Sequence, residues 1–378
     1  MKLIYIANAR IPTEKAHGIQ IMKMCQAFAD SGEVELVVPR RLNPIKIEPF
    51  TYYGLARNFK IKQLPCLDLI TPCRHIGHLG LWIESLTFFF FVFHYIIFRK
   101  ADVFYTRDKF FLPFILLKKN ITFESHTFPK NYFLYSLFLK KLKGMVVITQ
   151  KLKDLLIERG ISPDKILVAP DGVDLGKFDI KESKEECRQK LNLPQDKKIV
   201  LYTGHLYQWK GAQTLADASP YLPEDIAVCF VGGTEEDVQK FKIQNTKYKI
   251  RVMGHRPHSE IPYWLRASDI LVLPNSGKED ISKLWTSPMK MFEYMAARRP
   301  IVASDLPSLG EILNESNSVL VKPDSPEKLA EGIKKILDDP QLAQRISSQA
   351  FKEVQNYSWR GRTKKILEFL APEIDDLH

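Results

Sequence analysis

A lysine and a glutamate three residues apart, Lys290 and Glu293, follow the segment Thr286-Ser287-Pro288-Met289. Residues three apart on a helix are neighbours, so the two charges would share one face. Thr286 or Ser287 is a favoured N-cap, and Pro288 suits the first helical position, where the N–H it lacks would go unpaired anyway. Met289, Phe292 and Ala296 recur at i, i+3 and i+7 and predict the buried stripe. A lysine in the first turn opposes the helix macrodipole. An anion at the helix mouth removes that conflict, because the first N–H groups point there. The chemistry this pattern could do is phosphate binding. The plain alternative is a capped surface helix that carries two charges.

Elements must bring other polar groups to such a site. Short apolar runs predict strands at 3–7, 34–38, 103–106, 121–124 and 145–148, and again at 198–203, 226–231, 250–253, 270–273, 300–303 and 318–321. Helical segments alternate with them, among them 261–268, 325–337 and 359–370, which predicts parallel sheets covered on both faces. The polar stretch 179–190 reads as a linker. The expected organisation is therefore a domain over 1–178, a second over 179–356, and a terminal helix over 357–378. In open α/β sheets ligands sit beyond the carboxyl ends of strands. Gly18 stands there at the start of the first helix, and His126 just past a strand end. His126 is either a sugar or phosphate contact or an ordinary loop histidine. In the second half Gly204-His205, Trp209-Lys210-Gly211 (opening a helix) and Gly254-His255-Arg256 occupy equivalent exits. No GxGxxG occurs, which argues against a dinucleotide oxidoreductase.

The chain of 378 residues carries a net charge of +11. Residues 1–180 hold 26 Lys/Arg against 16 Asp/Glu, leaving 29 against 28 for the remainder, so the excess lies in the first half. Fourteen of the 23 phenylalanines fall between Phe88 and Phe138. Basic and aromatic character together point to an anionic membrane surface or to nucleic acid. No helix-turn-helix, zinc-finger or RNP-like pattern supports nucleic acid, which leaves the membrane. The most apolar stretch, 81–98, is interrupted by Glu84 and His94 and is shorter after Glu84 than the ~20 residues a spanning helix needs. It reads as a buried or amphipathic helix, an interfacial helix, or a span. Five cysteines with no CxxC pair fit a reducing cytosol. The apolar start, 1–7, reads as a strand and is too short for a signal peptide.

Three blocks resemble the nucleotide-sugar half of the retaining glycosyltransferases of family four. They are Tyr202-Thr203-Gly204-His205 with Trp209-Lys210-Gly211; Gly254-His255 leading to Ala267-Ser268-Asp269-Ile270-Leu271-Val272-Leu273-Pro274; and Ser287-Pro288-Met289-Lys290-Met291-Phe292-Glu293-Tyr294-Met295-Ala296 leading to Pro300-Ile301-Val302-Ala303-Ser304. Their order and spacing match over 165–375. The first half matches more loosely, through Gly18, His126 and the turn Pro170-Asp171-Gly172-Val173-Asp174. The resemblance implies the α/β GT-B fold, two Rossmann-like domains with parallel sheets facing across a cleft, and a terminal helix crossing back to the first domain.

It also implies roles. Lys210 matches the lysine that grips the donor diphosphate, while His205 stands at the usual arginine position and lacks that residue's charge and fork. Lys290, with the N–H groups of Met289 and Lys290, would supply the rest. Glu293 matches the second acid of the Glu-x7-Glu pattern, a partner for ribose hydroxyls. Trp285 stands where the first acid would be, so Thr286, Ser287 or main chain must replace it. The turn at Gly254–Arg256 is where the base would stack, Gly18 would admit the phosphates, and His126 would face the sugar. The implied enzyme is a retaining hexosyltransferase-type glycosyltransferase with no metal and no cofactor beyond the nucleotide-diphosphate sugar. Its acceptor would be a glycan or lipid-linked glycan, in cell-surface polysaccharide synthesis, in the cytoplasm with peripheral contact to the inner membrane face. A phosphorylase or epimerase of the same fold, and a degenerate glycan-binding or membrane-associated subunit, are the competing readings.

Overall fold

The computed structural model describes residues 1–70, 77–129 and 131–375. The chain divides into two compact units, Met1–Pro170 with Trp359–His378, and Asp171–Ser358.

In the first unit seven strands form one all-parallel sheet: β1 (Lys2–Ile6), β2 (Glu33–Pro39), β3 (Lys60–Leu64), β4 (Val103–Thr106), β5 (Ile121–Ser125), β6 (Met145–Val147) and β7 (Ile166–Val168), in the order β3-β2-β1-β4-β5-β6-β7. Leu3 pairs with Val34 on one side and Val103 on the other. Leu3, Ile4, Tyr5 and Ile6 are all buried, the continuous apolar run expected of a parallel strand covered on both faces. β3 has no such run and was not predicted. Its Lys60 and Lys62 mark a protected edge instead.

The second unit has six parallel strands: β8 (Lys198–Thr203), β9 (Ile226–Val231), β10 (Ile250–Gly254), β11 (Ile270–Leu273), β12 (Ile301–Ser304) and β13 (Val319–Val321), in the order β10-β9-β8-β11-β12-β13. In both sheets the order reverses beside the first strand, β1 or β8. That reversal splays the following loops apart and leaves a crevice where ligands bind in such folds.

Two sequence expectations change. The division falls at Pro170/Asp171 and Ser358/Trp359, not at 178/179 and 356/357. Val173 is tied to the second unit by its N–H on the Tyr357 carbonyl at 2.8 Å and by a bridge to Ser358, and Phe178 joins that unit's core. The expected linker contains the helix Lys184–Lys190, opened by a capping box between Ser183 and Glu186. Arg188 reaches Asp269 at 2.6 Å, and Asp269 also accepts the Ile199 N–H at 2.7 Å, so this helix is locked to β8.

The apolar stretch forms the helix Gly77–Ile97. Glu84, Phe88, Val92 and Ile96, spaced by four, are fully buried. Leu79, Trp82, Leu86, Phe90 and Phe91 are exposed, so the helix is apolar on its outer face as well as its buried one. By length and composition alone it is the one helix among the described residues that could cross a membrane. The last helix, Trp359–Asp375, packs on the helix Ala16–Phe28 within the first unit.

Candidate functional site

Glycines frame the candidate donor site in the second unit. Gly204, Gly232 and Gly254 end β8, β9 and β10 with φ of 121°, 117° and 74°. The Gly204 N–H donates to Val231 O at 2.8 Å and the Gly232 N–H to Gly254 O at 2.8 Å, so the three exits are bonded in a row. A Cβ on Gly232 would meet Gly204 O at 2.5 Å, and one on Gly211 would meet Pro274 O at 1.7 Å. Only glycine satisfies both positive φ and such backbone contact. Residues 208–210 form a single 3₁₀ turn, and the helix expected from Trp209 begins at Ala212.

Two lysines converge on this frame. A Cβ built on Gly204 would lie 3.8 Å from Lys290 Cδ and 4.0 Å from Lys210 Nζ. Lys290 is 8% exposed, and its Nζ has no hydrogen-bond partner among the described residues. It rests 3.9 Å from the centre of the Tyr202 ring. Burial, and then the charge of Lys210, hold the Lys290 ammonium well below its ordinary pKa, against the pull of Glu293. Burial likewise brings Lys210 down to about 8, opposed by Glu293. Two lysines and one carboxylate thus meet out of water, and charging both lysines leaves one cation without a counter-charge.

The helix Met289–Ala296 carries Lys290 in its first turn. Its N-cap residue is Pro288, not Thr286 or Ser287, and no side chain caps it. Ser287 Oγ instead accepts the Asp171 N–H at 3.1 Å, and Thr286 is buried. The helix is buried nearly all round, from Lys290 to Ala296, whereas Met289 is half-buried, so the expected three-residue stripe understates its packing. Tyr294 anchors it: its hydroxyl accepts the Thr203 N–H at 2.8 Å and shares a hydrogen bond with Thr203 Oγ1 at 3.1 Å. Glu293 Oε1 accepts from His258 Nε2 at 2.8 Å. The Arg256 guanidinium lies 5.8 Å from the centre of the Trp264 ring. The His205 ring stacks on Tyr207 at 4.9 Å, and its carbonyl accepts from Tyr202 Oη at 2.6 Å.

Gly18 and His126 belong to the first unit. A Cβ on Gly18 would meet Tyr53 Oη at 2.4 Å and Thr13 Cγ2 at 2.5 Å. Its bareness is used by the clamp in which Tyr53 Oη donates to Thr13 O and accepts the Thr13 N–H. His126 Nε2 donates to Glu124 Oε1 at 2.5 Å. Glu124 is fully buried and also accepts from Gln20 Nε2 at 2.7 Å, from Tyr105 Oη, and from Arg362 at 3.1 Å. Burial would raise its pKa, but Arg362 and then His126 hold the carboxyl well below the usual range. An ionised Glu124 requires the proton on His126 Nε2 and so sets the imidazole tautomer.

Sequence reasoning brought Gly204, Lys210, Lys290 and Glu293 to one place but missed His258, Tyr202, Tyr294 and Arg362. His258 lies in the 3₁₀ turn His258–Glu260 at the entrance to the helix Ile261–Ala267, where no local pattern signals a partner 35 residues ahead. Arg362 reaches Glu124 across 238 residues of sequence.

Residues 183–353 match the family described as glycosyl transferases group 1. The chain is similar to D-inositol 3-phosphate glycosyltransferase 1 of Catenulispora acidiphila, 26% identical over 242 residues, 60% of this chain and 56% of that protein. It is also similar to the putative teichuronic acid biosynthesis glycosyltransferase TuaC of Bacillus subtilis, 27% identical over 53% of this chain and 49% of that protein. The chain thus aligns with about half the length of the curated relatives it matches. Among solved structures, Anabaena Alr3699/HepE in complex with UDP superposes with a TM-score of 0.77 at 16% identity, over 98% of this chain and 100% of that one. Sucrose-phosphate synthase from Thermosynechococcus elongatus gives 0.79 at 19% identity, over the whole of both chains. At such identities the structural likeness establishes the fold, two Rossmann-like α/β units of GT-B type.

Proposed function

We propose that this chain, whose residues 183–353 match the glycosyl transferases group 1 family, transfers a sugar from a nucleotide-diphosphate sugar to a glycan or lipid-linked acceptor with retention at the anomeric carbon. The observation that carries this reading is the convergence of Lys210 and the unpartnered Lys290 at Gly204. Two buried cations against one carboxylate need a further anion, and a diphosphate supplies it. In the transition state the bond from the anomeric carbon to the diphosphate oxygen breaks while the acceptor hydroxyl bonds to that carbon on the same face. The departing diphosphate takes the hydroxyl proton. Charge grows on its oxygens as the bond breaks, so fixed cations there stabilise the transition state more than the ground state. Glu293, oriented by His258, is suited to accept from ribose hydroxyls, and the open side of Gly254 is suited to a base. His126, with its tautomer set by Glu124, is suited to contact the sugar. No metal is required by this scheme.

The first unit suits an acceptor held at an anionic membrane on the cytoplasmic side. Phe98 is 84% exposed, and Phe133 and Leu137 on the helix Tyr132–Lys141 are 88% and 70% exposed. Arg99, Lys100, Lys140 and Lys141 stand near them in sequence. Apolar side chains and adjacent cations are the two components of interfacial binding, each cation contributing ~1 kcal/mol at an anionic leaflet.

The test is incubation with a panel of nucleotide sugars, beginning with UDP-glucose because structural neighbours bind UDP and UDP-glucose. Slow release of nucleoside diphosphate from one donor, lost on Lys210→Ala, is the expected result. No release and no binding across the panel overturns it in favour of a degenerate subunit.

A further inference from the structure

The helix Ala16–Phe28 of the first unit carries a glutamine, Gln20, that is 2% exposed. A buried primary amide costs free energy unless both of its ends are bonded. Here both are. Gln20 Oε1 accepts from Arg107 Nη1 at 2.6 Å, and Gln20 Nε2 donates to Glu124 Oε1 at 2.7 Å. Charge dictates the sense of the amide, because reversing it would set the carbonyl against a carboxylate and the NH2 against a guanidinium. Its oxygen therefore faces the cation and its nitrogen the anion.

Both ends of the amide lead to groups at strand exits. Arg107 directly follows β4 and His126 directly follows β5, and both are half-buried. β4 pairs with β1, where the strand order reverses, so Arg107 stands at the crevice of this sheet. His126 Nε2 shares Glu124 Oε1 with Gln20, while Arg362 Nη1 and the Tyr105 hydroxyl bond to Oε2. Burial would raise the Glu124 pKa, but Arg362, then His126 and lastly Arg107 hold it low. Arg107 and the ionised Glu124 thus attract one another where little water screens them, and such charges pair directly unless something stands between. The Gln20 amide stands between them. Two other titratable groups act on or near His126. Asp108, whose pKa burial raises, is occupied by the Asn8 N–H at 2.7 Å. His17, brought down to about 4 by burial and then Arg107, is neutral.

We infer that Gln20 is a positioning residue for the proposed transfer: its amide spaces Arg107 from Glu124, so that Glu124 Oε1 stays bonded to His126 and the guanidinium stays at the crevice. His126 then keeps its proton on Nε2 and its lone pair on Nδ1. Were the amide lost, Arg107 would close on Glu124 Oε1, the oxygen that holds His126, and the imidazole would lose its fixed tautomer. The consequence for catalysis rests on the transferase reading; the hydrogen-bonded line from Arg107 to His126 does not.

The experiment reads the imidazole directly, by nitrogen NMR of the full chain labelled at histidine, with the His126 signals assigned by their loss in His126→Gln. The wild-type chain should carry the proton on Nε2. Gln20→Met keeps the length and packing but bonds to neither neighbour. It should move that proton towards Nδ1 and cut kcat for UDP release from UDP-glucose about tenfold, the equivalent of ~1.4 kcal/mol, with UDP affinity unchanged. In Gln20→Met/Arg107→Met no guanidinium remains to close on Glu124, and the proton should return to Nε2. A glutamine that only supports the fold would lower the melt and leave the proton where it was. Gln20→Asn, too short to reach both partners, gives the same reading if the methionine variant fails to fold. The proposal falls if a folded variant keeps the Nε2 proton or the wild-type kcat, if the wild-type proton sits on Nδ1, or if removing Arg107 restores nothing. A chain that releases no UDP yet shows these proton shifts would sink the transferase reading for UDP-glucose and leave the Gln20 bridge standing.

Discussion

The ammonium nitrogen of Lys290 lies 3.9 Å from the centre of the Tyr202 ring and has no hydrogen-bond partner among the described residues. A desolvated cation–π contact contributes ~2 kcal/mol, less than the several kcal/mol that burying an ammonium costs. The position is thus unfavourable in the empty protein and becomes favourable when an anion arrives. Lys290→Met should raise the unfolding midpoint, by ~1 kcal/mol of stability, while weakening UDP about a hundredfold. Thermal melts and calorimetry on one preparation check both. A melt that falls with UDP affinity intact would show the lysine to be structural.

Lys210 should make donor binding depend on pH. Its pKa of about 8 lies below the unfolded value of 10.5, so the folded chain holds fewer protons than the unfolded chain between those limits. Stability therefore rises with pH from about 8 to 10.5 and gains nothing from this group below that window. A bound diphosphate reverses the preference and raises the pKa. UDP affinity should fall above about pH 8 and binding there should be accompanied by proton uptake. Titrations in buffers of different ionisation enthalpy measure that uptake. Lys210→Arg, which stays charged, should flatten the profile.

Arg362 and Glu124 form a buried ion pair at 3.1 Å, and Arg362 also donates through Nε to Pro170 O at 2.9 Å. Removing one partner strands the other charge, so Arg362→Met should destabilise the first unit by ~3–5 kcal/mol. The double variant Arg362→Met/Glu124→Gln should be more stable than the two single losses added together. Denaturant titration followed by a probe in the first unit reports both values.

The outer face of the helix Gly77–Ile97 and the exposed face of the helix Tyr132–Lys141 should bind anionic liposomes and release in high salt. Phe98→Ser with Phe133→Ser should cut co-sedimentation at least tenfold without changing the melt, because both side chains are exposed in the fold. Equal sedimentation with neutral and anionic vesicles would remove the electrostatic part of the proposal.

Much of this was legible along the chain. Strands buried on both faces, such as β1 and β8, announce themselves as unbroken apolar runs, because every residue must leave water. The glycines at β-strand exits, and the Lys290–Glu293 spacing, are local facts that periodicity exposes. The helix Lys184–Lys190 was legible too, in Ser183 and Glu186, but its polar surface obscured it. The cap of the helix Met289–Ala296 was not. Ser287 has the right chemistry, yet the Asp171 N–H, 116 residues away, holds its hydroxyl.

Residue type, strand alternation and the presence of two α/β units were determined by the sequence alone, since each follows from neighbours within one or two turns. Which charges meet was decided by tertiary structure. Lys210 and Lys290 are 80 positions apart and acquire their shifted acidity only because folding removes water from both and brings each within the other's field. Folding likewise brings together Glu124 and Arg362, 238 positions apart. Coulomb interactions act through space and strengthen as solvent leaves, and neither distance nor burial is written in the order of residues.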